Sequence, residues 1–308
     1  MRKQQGKLFL AAVLLTAMCA HKAPPISKDR LSPRLSKVSV INTRQVQLTF
    51  SEAVDTVALT PDNVLIASAT ETLEVLLLYP SLSPSEIIVV TEPMQEIPYE
   101  ISGRVLDKAG NEGLFTSRIQ GSSVPDTIAP WVVQYSEGKS KNDFQVRFSE
   151  AMDTTWLSFT ILPRKKFIPQ WLDHRSVSFL PAAETESLAL DTTYYLYLRN
   201  ARDLSGNSAK PFITSVTPDT AYAPVPLRGR ALLDDAPVAS GIALLMRQGA
   251  VGIASVTSGD FAFMVRDSLP YDIVVISNGH SGTGRVNAAS DNIIRLKKER
   301  LDIDPFIN

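Results

Sequence analysis

One short stretch occurs twice and limits what the chain can fold into. The first copy reads Phe50-Ser51-Glu52-Ala53-Val54-Asp55-Thr56 and the second Phe148-Ser149-Glu150-Ala151-Met152-Asp153-Thr154. Each closes an alternating apolar run, Val46, Leu48, Phe50 in one case and Phe144, Val146, Phe148 in the other. A period of two places one face of a strand in a core. Some fifty residues later comes a second shared signature, Asp107-Lys-Ala-Gly110-Asn111 and Asp203-Leu-Ser-Gly206-Asn207. The offsets, 148 − 50 = 98 and 203 − 107 = 96, mark one β module in duplicate.

Within the first module, Val38 and Val40 begin a strand, Gln45 to Phe50 returns, and Thr60-Pro61-Asp62-Asn63 turns before Val64. Leu73 to Tyr79 is nearly continuous in apolar residues, which predicts a strand covered on both faces. Tyr99, Ile101, Gly103 and Val105 alternate into the Asp107 turn, where aspartate bonds turn amides and glycine supplies a positive φ. Ser122 to Pro130 is the joint. The second module repeats the order, with strands at 132–135, 144–148, 159–162, 177–180 and 194–198. Six or seven short strands in about 90 residues fit an immunoglobulin-like sandwich.

The paired Phe-Ser-Glu-Ala-[Val/Met]-Asp-Thr and Asp-x-x-Gly-Asn motifs, with Asp126-Thr127 and Pro130 at the joint, resemble the bacterial Ig-like domain of S-layer proteins (the SbsA type). The second copy is closer to the usual Phe-Ser-x-x-Met-Asp form, since Val54 stands in for methionine in the first. The resemblance implies extracytoplasmic β-sandwich modules that act as spacers or surface-binding units, without catalytic residues. A further linker, Thr217 to Pro226, precedes a different pattern. It runs Leu227-Arg-Gly229, Pro237-Val238-Ala-Ser-Gly241, Ser258-Gly259-Asp260-Phe261-Ala-Phe263 and Tyr271-Asp272-Ile273. This resembles the carboxypeptidase regulatory-like (transthyretin-like) domain, although the acidic residue usual before the glycine is absent.

The N-terminus points to export. Arg2, Lys3 and Lys7 precede an apolar run of 13 residues, Leu8 to Ala20. Spanning a bilayer takes about 20 apolar residues, so the run reads as a secretory segment. Leu15-Thr16-Ala17-Met18-Cys19 resembles a bacterial lipobox, in which the cysteine is diacylated after cleavage just before it. Met18 departs from the small residue usual there, and an ordinary signal peptide cleaved after Ala20 is the other reading. Cys19 is the only cysteine, an odd place for a free thiol in an exported chain. Acyl chains would hold the protein to a bilayer without a transmembrane helix.

The expected architecture is therefore all-β: an N-terminal signal helix, two tandem immunoglobulin-like β-sandwiches and a smaller transthyretin-like β-sandwich. The expected boundaries are 1–19 for the signal, 20–32 for an extended tether, 33–118 and 127–217 for the two Ig-like domains, 226–297 for the C-terminal domain and 298–308 for a tail.

Chemistry is sparse. The 31 basic against 32 acidic residues leave no electrostatic footprint for nucleic acid. Three histidines, His21, His174 and His280, form no zinc-ligand spacing. Gly279-His280-Ser281-Gly282-Thr283 approaches a nucleophile elbow but ends on threonine with no helix pattern after it, and reads as a hairpin loop. Gly282-Thr283-Gly284 opens no phosphate-binding helix, so no nucleotide and no cofactor are expected. Glu52, Asp55 and Asp107, like Glu150, Asp153 and Asp203, could offer oxygens to calcium. Two or three carboxylates fall short of its six to eight ligands, and the favoured role of the aspartates is bonding turn backbone.

The tryptophans, Trp131, Trp156 and Trp171, all fall in the second module. Core packing is the ordinary role, but Trp131 aligns with Arg34 and Trp156 with Ala58. A solvated position in one copy predicts an exposed indole in the other, and exposed indoles stack on sugars or partner surfaces. The expected function is a non-enzymatic exported lipoprotein presenting Ig-like modules as a structural or adhesive element of the cell envelope. The alternative is an accessory factor that binds carbohydrate or protein through Trp131 and Trp156. The expected partners are the membrane, through Cys19, and an envelope protein or glycan.

Overall fold

The computed structural model describes residues 29–135, 144–218, 223–299 and 301. The signal segment, Cys19 and most of the tether lie outside the described residues, as does nearly all of the tail. Strands are the only regular elements of the described chain apart from two short 3-10 turns, and the chain forms two compact units, residues 1–123 and 124–308. No helix among the described residues is long and apolar enough to cross a membrane.

The first unit contains β1 (Leu35–Val40), β2 (Gln45–Phe50), β3 (Val64–Ala67), β4 (Thr72–Leu73), β5 (Val75–Pro80), β6 (Glu86–Thr91), β7 (Pro98–Leu106) and β8 (Glu112–Gln120). One antiparallel sheet has the order β1-β2-β6-β5, the other β4-β3-β7-β8. The predicted alternation supplies the core: Val46, Leu48 and Phe50 from one sheet meet Ile66, Tyr99, Ile101 and Phe115 from the other. Each such fully buried side chain contributes about 1.5–3 kcal/mol of transfer free energy. The continuous apolar run at Leu73 to Tyr79 is not one doubly covered strand. It breaks at Glu74 into β4 and β5, which belong to different sheets. β5 is an edge strand buried on one face, and its register slips between Val75 and Leu77.

The second unit begins with β9 (Val132–Tyr135), β10 (Phe144–Phe148), β11 (Ser158–Leu162), β12 (Phe167–Trp171), β13 (Ser176–Pro181), β14 (Tyr194–Arg199) and β15 (Phe212–Val216). Its sheets, β9-β10-β13-β12 and β11-β14-β15, repeat the strand order of the first unit with the counterpart of β4 missing. The bonding repeats as well. Phe50 N–H donates to Ser85 O at 2.9 Å and Phe148 N–H to Arg175 O at 2.8 Å. Val146, Phe148, Met152, Ile161, Val177 and Phe179 fill this core.

The same unit continues with β16 (Val225–Leu233), β17 (Ala236–Pro237), β18 (Ser240–Met246), β19 (Ala250–Thr257), β20 (Asp260–Val265), β21 (Tyr271–Ser277), β22 (His280–Val286) and β23 (Asn292–Leu296). β19-β18-β21-β22 forms one layer; β16, flanked by β20, β17 and the parallel β23, forms the other. β19 and β20 pair only at Thr257 and Asp260, beside a turn in which Ser258 (φ 52°) and Gly259 (φ 87°) are left-handed. On the far side, Ser281 and Lys297 exchange backbone bonds of 3.0 and 2.8 Å. Lys297 is the last described residue in a β-bridge.

β14 is where the duplicated copies differ most. Its counterpart β7 alternates buried and exposed, whereas Tyr194 to Leu198 are buried without a break. Tyr194, Leu196 and Leu198 enter the sandwich core, while Tyr195 and Tyr197 enter the C-terminal core together with Leu162. Tyr195 Oη donates to Met264 O at 2.8 Å and accepts from Met264 N–H at 2.6 Å. The side chain therefore satisfies the edge of β20 as a neighbouring strand would. One strand serves two cores.

Candidate functional site

The residues singled out by the repeat converge at the base of each sandwich. After β2, Val54 bridges Asp107, and Asp55 N–H donates to Leu106 O at 2.7 Å. After β10, Met152 bridges Asp203, and Asp153 N–H donates to Arg202 O at 2.9 Å. The two repeat motifs are thus the two halves of one corner. Asp107, only 4% exposed, accepts from Asn111 N–H at 2.8 Å and from Asn111 Nδ2 at 2.7 Å. Asp203, 3% exposed, accepts from Asn207 N–H and Asn207 Nδ2 at 2.8 Å each, and from Ser205 N–H at 2.8 Å. Asp55 accepts from Val57 N–H, and Asp153 from the Thr155 amide and hydroxyl. All four aspartates bond loop backbone, as their turn chemistry predicts.

The asparagines have a second role. Asn111 Nδ2 also donates to Asp29 O at 3.3 Å, and Asn207 Nδ2 to Asp126 O at 3.2 Å. Each corner therefore grips the segment that enters its own module. This brings three carboxylates together in each copy, Asp29, Glu52 and Asp107 in one and Asp126, Glu150 and Asp203 in the other. Within each trio the oxygens lie within 4.8 Å of one another. Asp55 and Asp153 belong to neither trio. The entering aspartates carry a signal of their own, beyond the joint in which Asp126 stands: Asp29-Arg-Leu-Ser-Pro33 and Asp126-Thr-Ile-Ala-Pro130 share Asp-x-[Leu/Ile]-x-Pro at an offset of 126 − 29 = 97. Asp29 lies within the residues whose composition reads as an extended tether.

Crowded carboxylates raise one another's affinity for protons, while amide donors lower it. Burial, and then the charges of Asp29 and Asp107, push Glu52 above the ordinary carboxylate range. Burial pushes Asp107 the same way, but donors from Asn111, Ala109 and Gly110 outweigh it and hold the group below its ordinary value. At Asp203 burial prevails over the Asn207 and Ser205 donors, the charge of Asp126 adds to it, and the carboxyl is raised. Each trio offers three oxygens to a hard cation, about half of what calcium takes. The Asp107 and Asp203 carboxylates already accept from the turn amides, and a proton or a cation would relieve the repulsion among the three carboxylates.

Beside the second corner, Trp131 is 52% and Trp156 49% exposed. Trp131 occupies the backbone place of Arg34. Ser149 N–H donates to Trp131 O at 2.8 Å and Trp131 N–H to Ser149 Oγ at 3.1 Å, repeating the Ser51 and Arg34 pair. The Arg202 guanidinium lies 4.4 Å from the Trp156 ring centroid, a cation–π arrangement. Trp171 differs from both: it stacks on Phe148 at 6.1 Å and donates Nε1 to Thr154 O.

Asn278 (φ 42°) and Gly279 (φ 77°) form a two-residue turn between β21 and β22, the primed geometry of a tight hairpin. His280 Nδ1 faces Asn278 O of its own turn, and Ser281 is buried within β22. This geometry is that of a hairpin, not of an elbow. A cleft of ≈ 1030 Å³ in the second unit is lined by the β15 residues Thr214 and Ser215 and by Arg228, Ser255, Asp260 and Asp291.

No protein-family model matches the chain, and no curated protein matches it in sequence. Among solved structures, it is similar to the N-terminal part of the bacterial S-layer protein SbsC, at 13% identity over 60% of this chain and 44% of that one, with a TM-score of 0.29. It is also similar to SGBP-B of the Bacteroides ovatus mixed-linkage glucan utilization locus, solved in complex with a mixed-linkage heptasaccharide, at 14% identity over 78% and 68% of the two chains and a TM-score of 0.25. Protocadherin gamma B2 cadherin domains 3–6 match at 9% identity over 86% and 72%, with a TM-score of 0.21. The chain spans about half the length of the S-layer chains it matches. At these scores the β-sandwich assignment stands on the sheets themselves.

Proposed function

We propose that the chain is a non-enzymatic exported lipoprotein that presents Ig-like β-sandwich modules as a structural or adhesive element of the cell envelope. The observation that carries this reading is the repeated corner. In both copies an asparagine of the Asp-x-x-Gly-Asn turn holds the carbonyl of the segment entering the module. A module gripped at its point of entry is suited to transmitting position from an anchor rather than to turning over a substrate. The SbsA-type motifs, the Cys19 lipobox and the transthyretin-like pattern of the C-terminal domain support the same reading. Mass spectrometry of the mature N-terminus tests it. A diacylglyceryl-modified Cys19 is expected; an unmodified peptide beginning at Ala20 or later contradicts the lipoprotein.

A second reading rests on a separate observation. Trp131 and Trp156 are half-exposed in the copy that carries them, at places where the other copy has Arg34 and Ala58. Indoles presented this way stack on sugar rings or on partner surfaces. Binding of the full chain to a glycan panel, with Trp156→Ala as comparison, separates the readings. Retention lost in the variant favours an accessory binding factor, and no retention by either favours the structural element.

A further inference from the structure

Strand edges offer unpaired backbone groups to other chains, and proteins defend them with bulges, prolines or short strands. The first unit has four edges. β1 carries a register slip between Leu35 and Lys37. β5 carries another between Val75 and Leu77 and ends in Pro80. β4 is two residues long. β8 has none of these defences. It spans nine residues, contains no proline, and pairs with β7 in unbroken register from Pro98↔Gln120 to Leu106↔Glu112.

Its solvent face reads Glu112, Leu114, Thr116, Arg118 and Gln120, all exposed, with Leu114 at 78%. A cleft of ≈ 390 Å³ separates residues 114–117 from residues 34–38 of the opposite sheet. Pro33 approaches β8 at Gly113, where an added Cβ would lie 2.0 Å from Pro33 O. Gly113 is on the buried face, so that contact lies beneath the strand, and no described strand pairs with the outer side of β8.

We propose that β8 pairs with β8 of a second copy, antiparallel and about a two-fold axis through Phe115, joining two four-stranded sheets into one. Residues of one face oppose each other when their numbers share parity. In the register where the numbers sum to 230, Glu112 faces the partner's Arg118 and Leu114 faces the partner's Thr116. The two-fold repeats both pairs. The registers summing to 228 and 232 place Glu112 opposite Thr116 and Gln120 and lose both charge pairs. Arg118 already faces Glu100 across β7–β8, so in the dimer its guanidinium lies between two carboxylates. An isologous pairing of this kind closes on itself at two copies. A single strand pair buries little area, so the association is weak.

Sedimentation equilibrium of the full chain in density-matched detergent tests the proposal. A reversible monomer–dimer equilibrium is expected. Glu112→Arg turns two attractive pairs into two repulsive ones and weakens the dimer by about tenfold. Glu112→Arg with Arg118→Glu restores affinity to within about threefold. A monomer at every concentration overturns the proposal, as does a single variant that associates like the parent or a double variant that stays weak. Cooperative urea unfolding confirms that the variants are folded; the double variant, whose glutamate at position 118 lies opposite Glu100, has a slightly lower midpoint than the parent.

Discussion

At the scale of single residues, the corner turns depend on backbone shape and on proton affinity. Gly110 and Gly206 sit at φ 86° and 89°, and nothing lies within 4 Å of a Cβ added to either. Space is free, so alanine costs only conformation. Gly206→Ala is expected to destabilise the second unit by about 1–2 kcal/mol, read as a lower urea midpoint with an unchanged slope. Asp203 gives a pH signature. Its carboxyl is raised in the folded state, by burial first and then by Asp126 against the amide donors. The folded chain therefore holds that proton more tightly than the unfolded one. The resulting stability is full below the unfolded pKa and is lost as pH rises through the raised folded value. Asp203→Asn removes this fall, so the urea midpoint of the parent minus that of the variant decreases as pH rises across the acid range. An identical pH slope for the two proteins contradicts the assignment. Asp107, held low by its donors, contributes in the opposite sense, and Glu52 offsets it.

At the scale of elements, β14 carries the most consequence. Tyr195→Phe removes the hydroxyl that both accepts from and donates to Met264, leaving a β20 amide and carbonyl without their partner. A cost of about 1–3 kcal/mol is expected, measured by chemical denaturation. Fluorescence from the second-unit tryptophans and hydrogen exchange in β20 should register the loss together. The strands themselves were legible because alternation is a local property: Val46, Leu48 and Phe50 announce their buried face in five residues. What escaped was non-local. Leu73 to Tyr79 looks uniform in hydropathy, yet a single glutamate and a slipped register divide it between sheets. Tyr194 to Leu198 reads as a strand, but nothing within it says that its second face meets a core built from residues after 224. The carboxylate trios were half legible. The motif residues Glu52, Asp107, Glu150 and Asp203 were visible, while Asp29 and Asp126 were lost among segments read as spacers. The exposure of Trp131 and Trp156 followed from aligning the copies, since each stands where the other copy has a solvated or small residue.

At the scale of the molecule, duplication did not yield two equal modules. The first sandwich keeps a polar outer face on β7, with Glu100 exposed, and an undefended β8 edge. The second has exchanged that polar face for Tyr195 and Tyr197 and shares its wall with the C-terminal domain. The two compact units therefore divide the chain at residue 123, not at the proline-rich linker 217–226. Native-state hydrogen exchange resolved by strand tests this most directly. Amides of β10, β13 and β14 should open with the same free energy as those of β18 and β21, and all should respond alike to Tyr195→Phe. Those of β2, β6 and β7 should form a separate class that the substitution leaves unmoved. If β10 to β14 instead exchange independently of β18 and β21, the shared wall does not couple the two cores, and the account fails.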